Sequence, residues 1–516
     1  MGIAGSSITG SAADPKATPE IFHGPRALGI LHTWKSHMDT MQEPDSAIAK
    51  LKKLLGPAGW LEGADAAPYE SDVRGVYSGS SLLVVRPLTT IEVSNVVKIC
   101  MEHDVAIVAQ GGNTGLCGGA VPAGASPSVI LSLARMNRVE SIDPMCYSVT
   151  AQAGCILQTI HELAGQHDRT FALDWGARGS ATIGGAISTN GGGINVLRFG
   201  NTREQVLGLE VVLPDGRVWN GIRALRKDTS GYDLKQMFIG AEGTLGIVTR
   251  AVLKLHPRPS HELTMCAALS EFERLPGLFA LARTVGEANL TAFELVHGPM
   301  VERALGRYPA LVRPFATRAD WYVLIRFSGR DDVQTKLEGL FDAALAQGHI
   351  TDAMLPQNVA QERNLWNLRD EMLPFKYLTG KTLKWDVSVP INQIVPFLRQ
   401  AETCANGIFA DPELIAFGHV GDGNLHMSLW PNGKPGDEGF EAKCERAVRE
   451  IDSLIWQMGG SVCAEHGVGV ENFTRIQGQK SDIELELMGR LKDMLDPKAR
   501  FNPEKVVAPA NLQRRA

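Results

Sequence analysis

The sequence contains neither a Gly-x-Gly-x-x-Gly dinucleotide fingerprint nor a Gly-x-x-x-x-Gly-Lys-Ser/Thr phosphate loop. The first absence excludes the usual glycine pattern of a Rossmann NAD site, and the second excludes a P-loop nucleotidase. A basic excess is missing too, because the formal net charge is −6 with both signs mixed. Composition therefore gives no support for nucleic-acid binding. A nucleotide site in this chain would have to be built from separate glycine-rich loops.

Cysteine is sparse, and the eight that occur never form a Cys-x-x-Cys pair. Isolated cysteines are typical of free thiols in a reducing compartment, so we expect a cytoplasmic protein. The longest uncharged run, residues 105–134, contains six glycines and two prolines, which predicts a loop and no transmembrane segment. Residues 1–45 are rich in small residues and lack an apolar signal core, which predicts a disordered leader.

The chain of 516 residues, 44% hydrophobic and 21% charged, has the composition of a globular protein of several domains. Apolar runs and turn residues predict a β-α-β opening, with a capping box at Thr89 and Glu92. The Pro-Arg-Pro-Ser stretch at 257–260 predicts a domain boundary. The predicted domains are residues 46–257, a substrate domain at 258–455 and a helical segment at 456–516.

Glycine is concentrated in three loops. Residues 110–122 follow a predicted strand directly and include five glycines without any charged residue. Because glycine lets backbone amides converge on an anion, this loop is predicted to bind a diphosphate; a flexible surface loop is the alternative. Residues 173–193 add hydroxyl and amide groups suited to a neutral heterocycle, and residues 238–248 form the third cluster.

Two histidines flank an Asp-Gly turn in residues 417–426. Asp-Gly favours a two-residue hairpin turn, which would pair His419 with His426 and bring both imidazoles to one face. Two close imidazoles suit a metal such as zinc, and Glu465 and His466 could add a carboxylate and a free imidazole. Two unrelated histidines beside a tight turn are the alternative.

The glycine clusters resemble the FAD-binding half of the vanillyl-alcohol-oxidase/p-cresol-methylhydroxylase flavoproteins. The matching motifs are Arg86-Pro87, Gln110-Gly-Gly-Asn-Thr-Gly115, Thr182-Ile-Gly-Gly185 and Gly240-Ala-Glu-Gly-Thr-Leu-Gly246. The histidine stretch and Glu465-His-Gly-Val-Gly469 resemble the FAD-linked D-2-hydroxyacid dehydrogenases, and the likeness spans about residues 46–507. It implies an α+β fold, with a two-lobed FAD-binding domain of this type, an α+β cap domain and C-terminal helices.

The resemblance implies a noncovalent FAD site, because Asn113 stands where some relatives attach FAD through a histidine. The residues it assigns to FAD are Pro87, Gly111, Gly112, Asn113, Thr114, Gly115, Cys117, Gly118, Gly179, Ser180, Gly184, Ser188, Thr189, Asn190, Gly193, Glu242, Gly246, Ile247, Asn424 and Asn502.

The resemblance also implies a divalent metal held by His419, His426 and Glu465, with zinc first and manganese or iron as alternatives. The metal would lower the pKa of the substrate hydroxyl. His466 would take the hydroxyl proton as the catalytic base. A hydride would then pass from the α-carbon to FAD.

The substrate site implied by the resemblance contains Arg369, Lys384, His419, His426, Ser428, Glu465 and His466. Two cations beyond the metal suit a dicarboxylate, so the expected reaction is the oxidation of D-2-hydroxyglutarate to 2-oxoglutarate. Without the resemblance, Arg369 and Lys384 would be read as surface ion pairs with Asp370 and Asp386.

Two positions depart from the D-2-hydroxyglutarate group: Leu373 replaces a threonine and Ser428 an asparagine. D-lactate or a glycolate-type acid is therefore the alternative substrate. A metal-free flavin alcohol oxidase and a non-enzymatic FAD-bound subunit are further alternatives. The family implies electron-transfer flavoprotein, a quinone or a cytochrome as electron acceptor, and a homodimer by analogy.

Overall fold

The computed structural model describes residues 45–124, 126–316, 318–330, 332–370, 381–433 and 436–507. The predicted leader therefore lies outside the described residues except at position 45, which is already helical, and Leu373 also lies outside them. The predicted α+β class is confirmed, because helices alternate with five sheets in this part of the chain.

The first half contains two main sheets. Its helices are α1 (residues 45–55), α2 (Thr90–Glu102), α3 (Leu157–Gln166), α4 (Ile183–Thr189), α5 (Val196–Phe199) and α6 (Thr202–Gln205). Its strands are β1 (Trp60–Leu61), β2 (Leu83–Val85), β3 (Ala106–Gln110), β4 (Ser128–Ser132), β5 (Val139–Asp143), β6 (Ser148–Gln152), β7 (Arg169–Thr170), β8 (Val206–Val212), β9 (Val218–Asn220), β10 (Ile247–Lys254) and β11 (His256–Pro257). The orders are β1-β2-β4-β3, β5-β6-β10-β8-β9 and, in a small ribbon, β11-β7.

The β-α-β opening is confirmed as β2, α2 and β3, and it delivers the first glycine-rich loop at the end of β3. Strands β2 and β3 each pair in parallel with β4. The Thr89 hydroxyl accepts a hydrogen bond from the backbone N–H of Glu92. The Glu92 carboxylate accepts from Leu88 N–H instead of Thr89 N–H, so only half of the predicted capping box forms.

The second half contains a four-stranded and a three-stranded antiparallel sheet, ordered β13-β14-β12-β15 and β16-β18-β17. Its strands are β12 (His261–Leu269), β13 (Leu290–His297), β14 (Trp321–Gly329), β15 (Ile350–Met354), β16 (Leu383–Ser388), β17 (Glu413–Phe417) and β18 (Asn424–Trp430). Its helices are α7 (Leu275–Gly286), α8 (Gly298–Arg307), α9 (Val333–Ala346), α10 (Val359–Asp370), α11 (Ile394–Ile408), α12 (Phe440–Gln457), α13 (Arg475–Gln479) and α14 (Asp482–Leu495).

The end of the chain returns to the first half. The N–H of Ile107 donates to the carbonyl of Arg500, and Asn502 N–H donates back to Ile107, so this segment lies beside β3. Within the described ranges, none of the helices combines the length and apolarity that crossing a membrane requires. All eight cysteines carry free thiols.

Candidate active site

The predicted pairing of His419 with His426 is wrong. Strand β17 pairs with β18 so that Phe417, and not His419, lies opposite His426. At Gly418 the chain leaves β18 and exchanges backbone hydrogen bonds with Leu295 of β13. Residues 420–422 then form a short 3-10 turn closed by Gly423, whose φ of 87° favours glycine. Gly418 therefore turns His419 toward β13, yet its ring centroid still lies 5.6 Å from that of His426.

One face of the β16-β18-β17 sheet is polar along β16 and the part of β18 that faces it. Strand β16 alternates buried apolar residues with half-buried polar ones, as its sequence predicts. Asp386 lies opposite His426 and Lys384 lies opposite Ser428, so these four side chains share one face. The opposite face packs into the apolar core of the second half.

The Glu465 carboxylate lies among three imidazoles. Its Oε1 is 3.3 Å from Nε2 of His426, 3.5 Å from Nε2 of His466 and 3.9 Å from Nε2 of His419. Burial opposes ionisation of Glu465, but the hydrogen bond with His426 and the three imidazoles hold its pKa well below the usual range. Two imidazole nitrogens and one carboxylate oxygen are a donor set that zinc prefers.

Two sets of side chains could hold a cation, and ring orientation separates them. Ligand atoms of Asp386, His426, Glu465 and His466 lie within 4.8 Å of one another. The rings of His426 and His466, however, are stacked 11° from parallel, so their lone pairs do not converge on one ion. The rings of His419 and His426 stand at 80°, which allows convergence and favours the set His419, His426 and Glu465.

A carboxylate lies on the Nδ1 side of each imidazole, the side from which proteins orient metal-binding histidines. Nδ1 of His419 lies 2.8 Å from Oε1 of Glu294. Burial opposes protonation of His419, but the Glu294 carboxylate raises its pKa to about 9. Oδ1 and Oδ2 of Asp386 lie 3.6 Å and 3.4 Å from Nδ1 of His426 and His466. The Nε2 atoms thus remain directed at Glu465.

Neither Asp386 nor Arg369 is a surface residue held by an ion pair alone. Asp386 accepts hydrogen bonds from the side-chain amide of Asn424 and from the backbone N–H groups of Glu465 and His466. Arg369 does contact Asp370 at 3.1 Å, but it is largely buried and also lies 3.0 Å from the Glu294 carboxylate. Its Nη2 is 3.3 Å from Nε2 of His419. The guanidinium therefore lies beside the imidazole cluster.

The first and second glycine loops pack against each other at Gly111 and Gly112 with no space for a side chain at either position. A Cβ at Gly112 would lie 2.0 Å from the Ser180 carbonyl oxygen, and one at Gly111 would lie 2.3 Å from the Thr182 hydroxyl. The Glu242 carboxylate accepts the backbone N–H groups of Val468 and Gly469, which joins the third cluster to the Glu465 segment. This tight backbone cradle fits a nucleotide diphosphate.

The predicted cofactor residues of the first half lie in four stretches of the chain. Pro87 follows β2; Gly111, Gly112, Asn113, Thr114, Gly115, Cys117 and Gly118 follow β3; Gly179, Ser180, Gly184, Ser188, Thr189, Asn190 and Gly193 lie in and around α4; Glu242, Gly246 and Ile247 lead into β10. Gly193 N–H points at Oε2 of Glu465 at 3.4 Å, so the glycine cradle and the imidazole cluster are contiguous. Asn502 donates to the carbonyls of Gly119 and Glu242, whereas Asn424 bonds to Asp386.

The sequence reasoning missed Glu294 and the role of Asp386. Glu294 had one signal, since it is the lone charged residue among the apolar residues of β13. Asp386 had the alternation of β16, which puts it on the face of Lys384. Burial lowers the pKa of Lys384 to about 8, aided by nearby Arg74.

Family models match both halves of the chain. Residues 81–221 match the family described as FAD binding domain, and residues 258–506 the family described as FAD linked oxidases, C-terminal domain. The mitochondrial D-2-hydroxyglutarate dehydrogenase of Danio rerio is 36% identical over 84% of this chain and 80% of that protein. The D-2-hydroxyglutarate dehydrogenase of Xanthomonas citri pv. viticola is 35% identical over 87% of this chain and 95% of that protein.

Solved structures agree in fold. p-Cresol methylhydroxylase superposes with a TM-score of 0.71 at 16% identity, covering 91% of this chain and 98% of that one. An alkyldihydroxyacetonephosphate synthase superposes with a TM-score of 0.69 at 18% identity, covering 89% and 86%. The Danio rerio relative is described as mitochondrial, so a cytoplasmic location stays a prediction.

Proposed function

The chain belongs to the FAD-linked D-2-hydroxyacid dehydrogenases, with an FAD-binding domain of the vanillyl-alcohol-oxidase/p-cresol-methylhydroxylase type. It is an FAD-dependent oxidoreductase acting on D-2-hydroxy acids. From this premise we propose that it oxidises D-2-hydroxyglutarate to 2-oxoglutarate with the help of a divalent metal, for which zinc is the first choice. The observation that carries the proposal is the approach of Nε2 of His419 and His426 to Oε1 of Glu465, beside the buried Arg369.

The FAD would be held by the three glycine clusters. Its diphosphate would lie along the loop from Gly111 to Gly118, where backbone N–H groups replace cationic side chains. The packing of Gly112 against Ser180 supports this assignment, because any side chain there would push the loops apart. FAD, when bound, supplies the hydride acceptor.

The metal would be held by His419, His426 and Glu465. The hydrogen bond between Nδ1 of His419 and the Glu294 carboxylate supports the assignment, since it orients Nε2 of His419 before any ion arrives. A divalent metal, when bound, acts as a Lewis acid that lowers the pKa of the substrate hydroxyl.

The remaining side chains bind the substrate and move its proton. Arg369 and Lys384 would bind the two carboxylates, the first as a planar fork and the second as a point charge. His466 would accept the hydroxyl proton at Nε2, because Asp386 lies on the Nδ1 side of the ring. The Arg369 and Glu465 side chains are only 14% and 21% exposed, and this low exposure strengthens their electrostatic contacts.

D-lactate is the second candidate, favoured by one observation. Ser428 lies opposite Lys384 across the strands, and a serine offers fewer hydrogen-bonding groups to a distal carboxylate than the asparagine of the D-2-hydroxyglutarate group.

One experiment tests these proposals together. Purified flavin-loaded protein is mixed anaerobically with D- and L-forms of 2-hydroxyglutarate, lactate and glycerate, and with glycolate, while flavin absorbance is followed. We expect D-2-hydroxyglutarate to bleach the flavin fastest, EDTA treatment to abolish bleaching and zinc to restore it. Faster bleaching by D-lactate would replace the proposed substrate, and bleaching that survives metal removal would establish the metal-free flavin oxidase.

A further inference from the structure

Glu294 is a buried carboxylate shared by two groups of the candidate site. Its side chain is 2% exposed and stands on β13 among core residues. Oε1 lies 2.8 Å from Nδ1 of His419, and Oε2 lies 3.1 Å from Nε and 3.0 Å from Nη2 of Arg369. Both oxygens are therefore occupied, each by a different partner.

The partners keep this carboxylate ionised. The Arg369 guanidinium, a permanent cation, contacts Oε2 through two nitrogens, while His419 occupies Oε1. A buried carboxylate that lost one partner would be strongly destabilised, so its geometry with both partners is tightly held. Glu294 thus acts as a fixed anion behind the site.

The two partners serve different ligands, since His419 would bind the metal and Arg369 a substrate carboxylate. Because Nδ1 of His419 faces Glu294, Nε2 lies on the Glu465 side of the ring, 3.9 Å from Oε1, as the atom offered to a metal. The fork of Arg369 uses Nε and Nη2 on Glu294, which sets the plane of the guanidinium beside His419.

We propose that Glu294 is a positioning residue that serves both metal binding and substrate-carboxylate binding, through His419 and Arg369 respectively. This inference rests on the proposed function. If Glu294 were purely structural, substituting it would weaken zinc binding and substrate binding together by loosening the fold. If it is a positioning residue, Glu294→Gln and Glu294→Ala should give different results.

The two variants Glu294→Gln and Glu294→Ala separate the two effects. The glutamine carbonyl can still accept from His419, but its NH₂ group would face the N–H groups of Arg369 and repel them. We therefore expect Glu294→Gln to bind zinc within about threefold of the original protein and to show a KM about tenfold higher. Glu294→Ala loses both contacts, so its zinc affinity should fall about 10- to 100-fold. At saturating zinc its KM should stay raised.

Zinc affinity is measured on flavin-loaded protein by competition with a chromophoric chelator, and KM by flavin reduction. Glu302→Gln is the control, because Glu302, on α8, is also a carboxylate shared by two cationic side chains, those of Arg313 and Arg318. Circular dichroism and flavin content report folding, and Glu294→Gln keeps the test valid if the alanine variant does not fold. Unchanged zinc affinity in a folded Glu294→Ala, or an unchanged KM in Glu294→Gln, would overturn the inference alone. An original protein that binds no zinc would overturn the proposed metal function, and this inference with it.

Discussion

The Oδ2 atom of Asp386 accepts a hydrogen bond of 2.8 Å from the backbone N–H of His466 and lies 3.4 Å from Nδ1 of the same residue. The hydrogen bond fixes the backbone of the proposed base, and the second contact places the carboxylate on the Nδ1 side of its ring. Because the N–H of Glu465 donates to the same oxygen, the neighbouring carboxylate is fixed as well. Asp386 therefore ties the Glu465 segment to the polar face of the β16-β18-β17 sheet.

Asp386→Asn should lower the rate of flavin reduction about 10- to 100-fold while FAD stays bound. An asparagine carbonyl can keep the backbone bonds, but its NH₂ group then faces the side-chain amide of Asn424, which is also a donor. Stopped-flow reduction at saturating zinc measures the effect. Asp215→Asn, an exposed carboxylate beside Arg217, is the control. A rate within twofold of the original protein would mean that Asp386 does not orient His466.

His426→Ala should keep FAD but lose substrate reduction about a hundredfold or more, because a metal Lewis acid is worth several kcal/mol. Zinc per flavin, measured by atomic emission, should fall in parallel. The exposed His167, changed to alanine, is the control. Loss of FAD from His426→Ala would show instead that this residue supports the flavin cradle.

The sequence predicts the strands around the site well because their patterns are local. The alternation of β16 and the apolar run of β17 are visible in the residues themselves, and both segments form strands. The hairpin prediction failed because pairing with β18 ends at Phe417, and Gly418 pairs instead with Leu295 of β13, a strand that lies much earlier in the chain. No local turn preference contains that information.

The carboxylates behind the imidazoles were missed for the same reason. Glu294 contacts His419 across 125 residues of chain, and Asp386 contacts His466 across 80. The resemblance supplied candidate metal ligands, but the contacts that carboxylates make with those ligands depend on how β13 and β16 pack. A lone charge in an apolar strand such as β13 is the clue that sequence does contain.

Lys384 should give the reaction a pH dependence on its alkaline side. With a pKa of about 8, its ammonium is charged below that pH and neutral above it. The value of kcat/KM for D-2-hydroxyglutarate, which reports the free enzyme, should therefore fall as pH rises above 8. Lys384→Arg should remove this inflection, because a guanidinium stays charged.

The same profile with D-lactate tells which carboxylate Lys384 binds. If it binds the distal carboxylate, D-lactate should show no inflection at pH 8. A fall of equal size with both substrates would place Lys384 at the carboxylate that they share.

Gly112→Ala should release FAD, because its Cβ would lie 2.0 Å from the Ser180 carbonyl oxygen, a backbone atom that cannot rotate away. Overpacking of this kind costs about 1–3 kcal/mol, and relief requires the first glycine loop to move off the second, which opens the predicted diphosphate cradle. The ratio of flavin to protein absorbance after gel filtration measures the loss. Gly165→Ala is the control, since it lies in α3 with open space around its Cβ and alanine favours a helix. If Gly112→Ala kept a full complement of FAD at an unchanged melting temperature, the close packing of these two loops would not be what holds the cofactor.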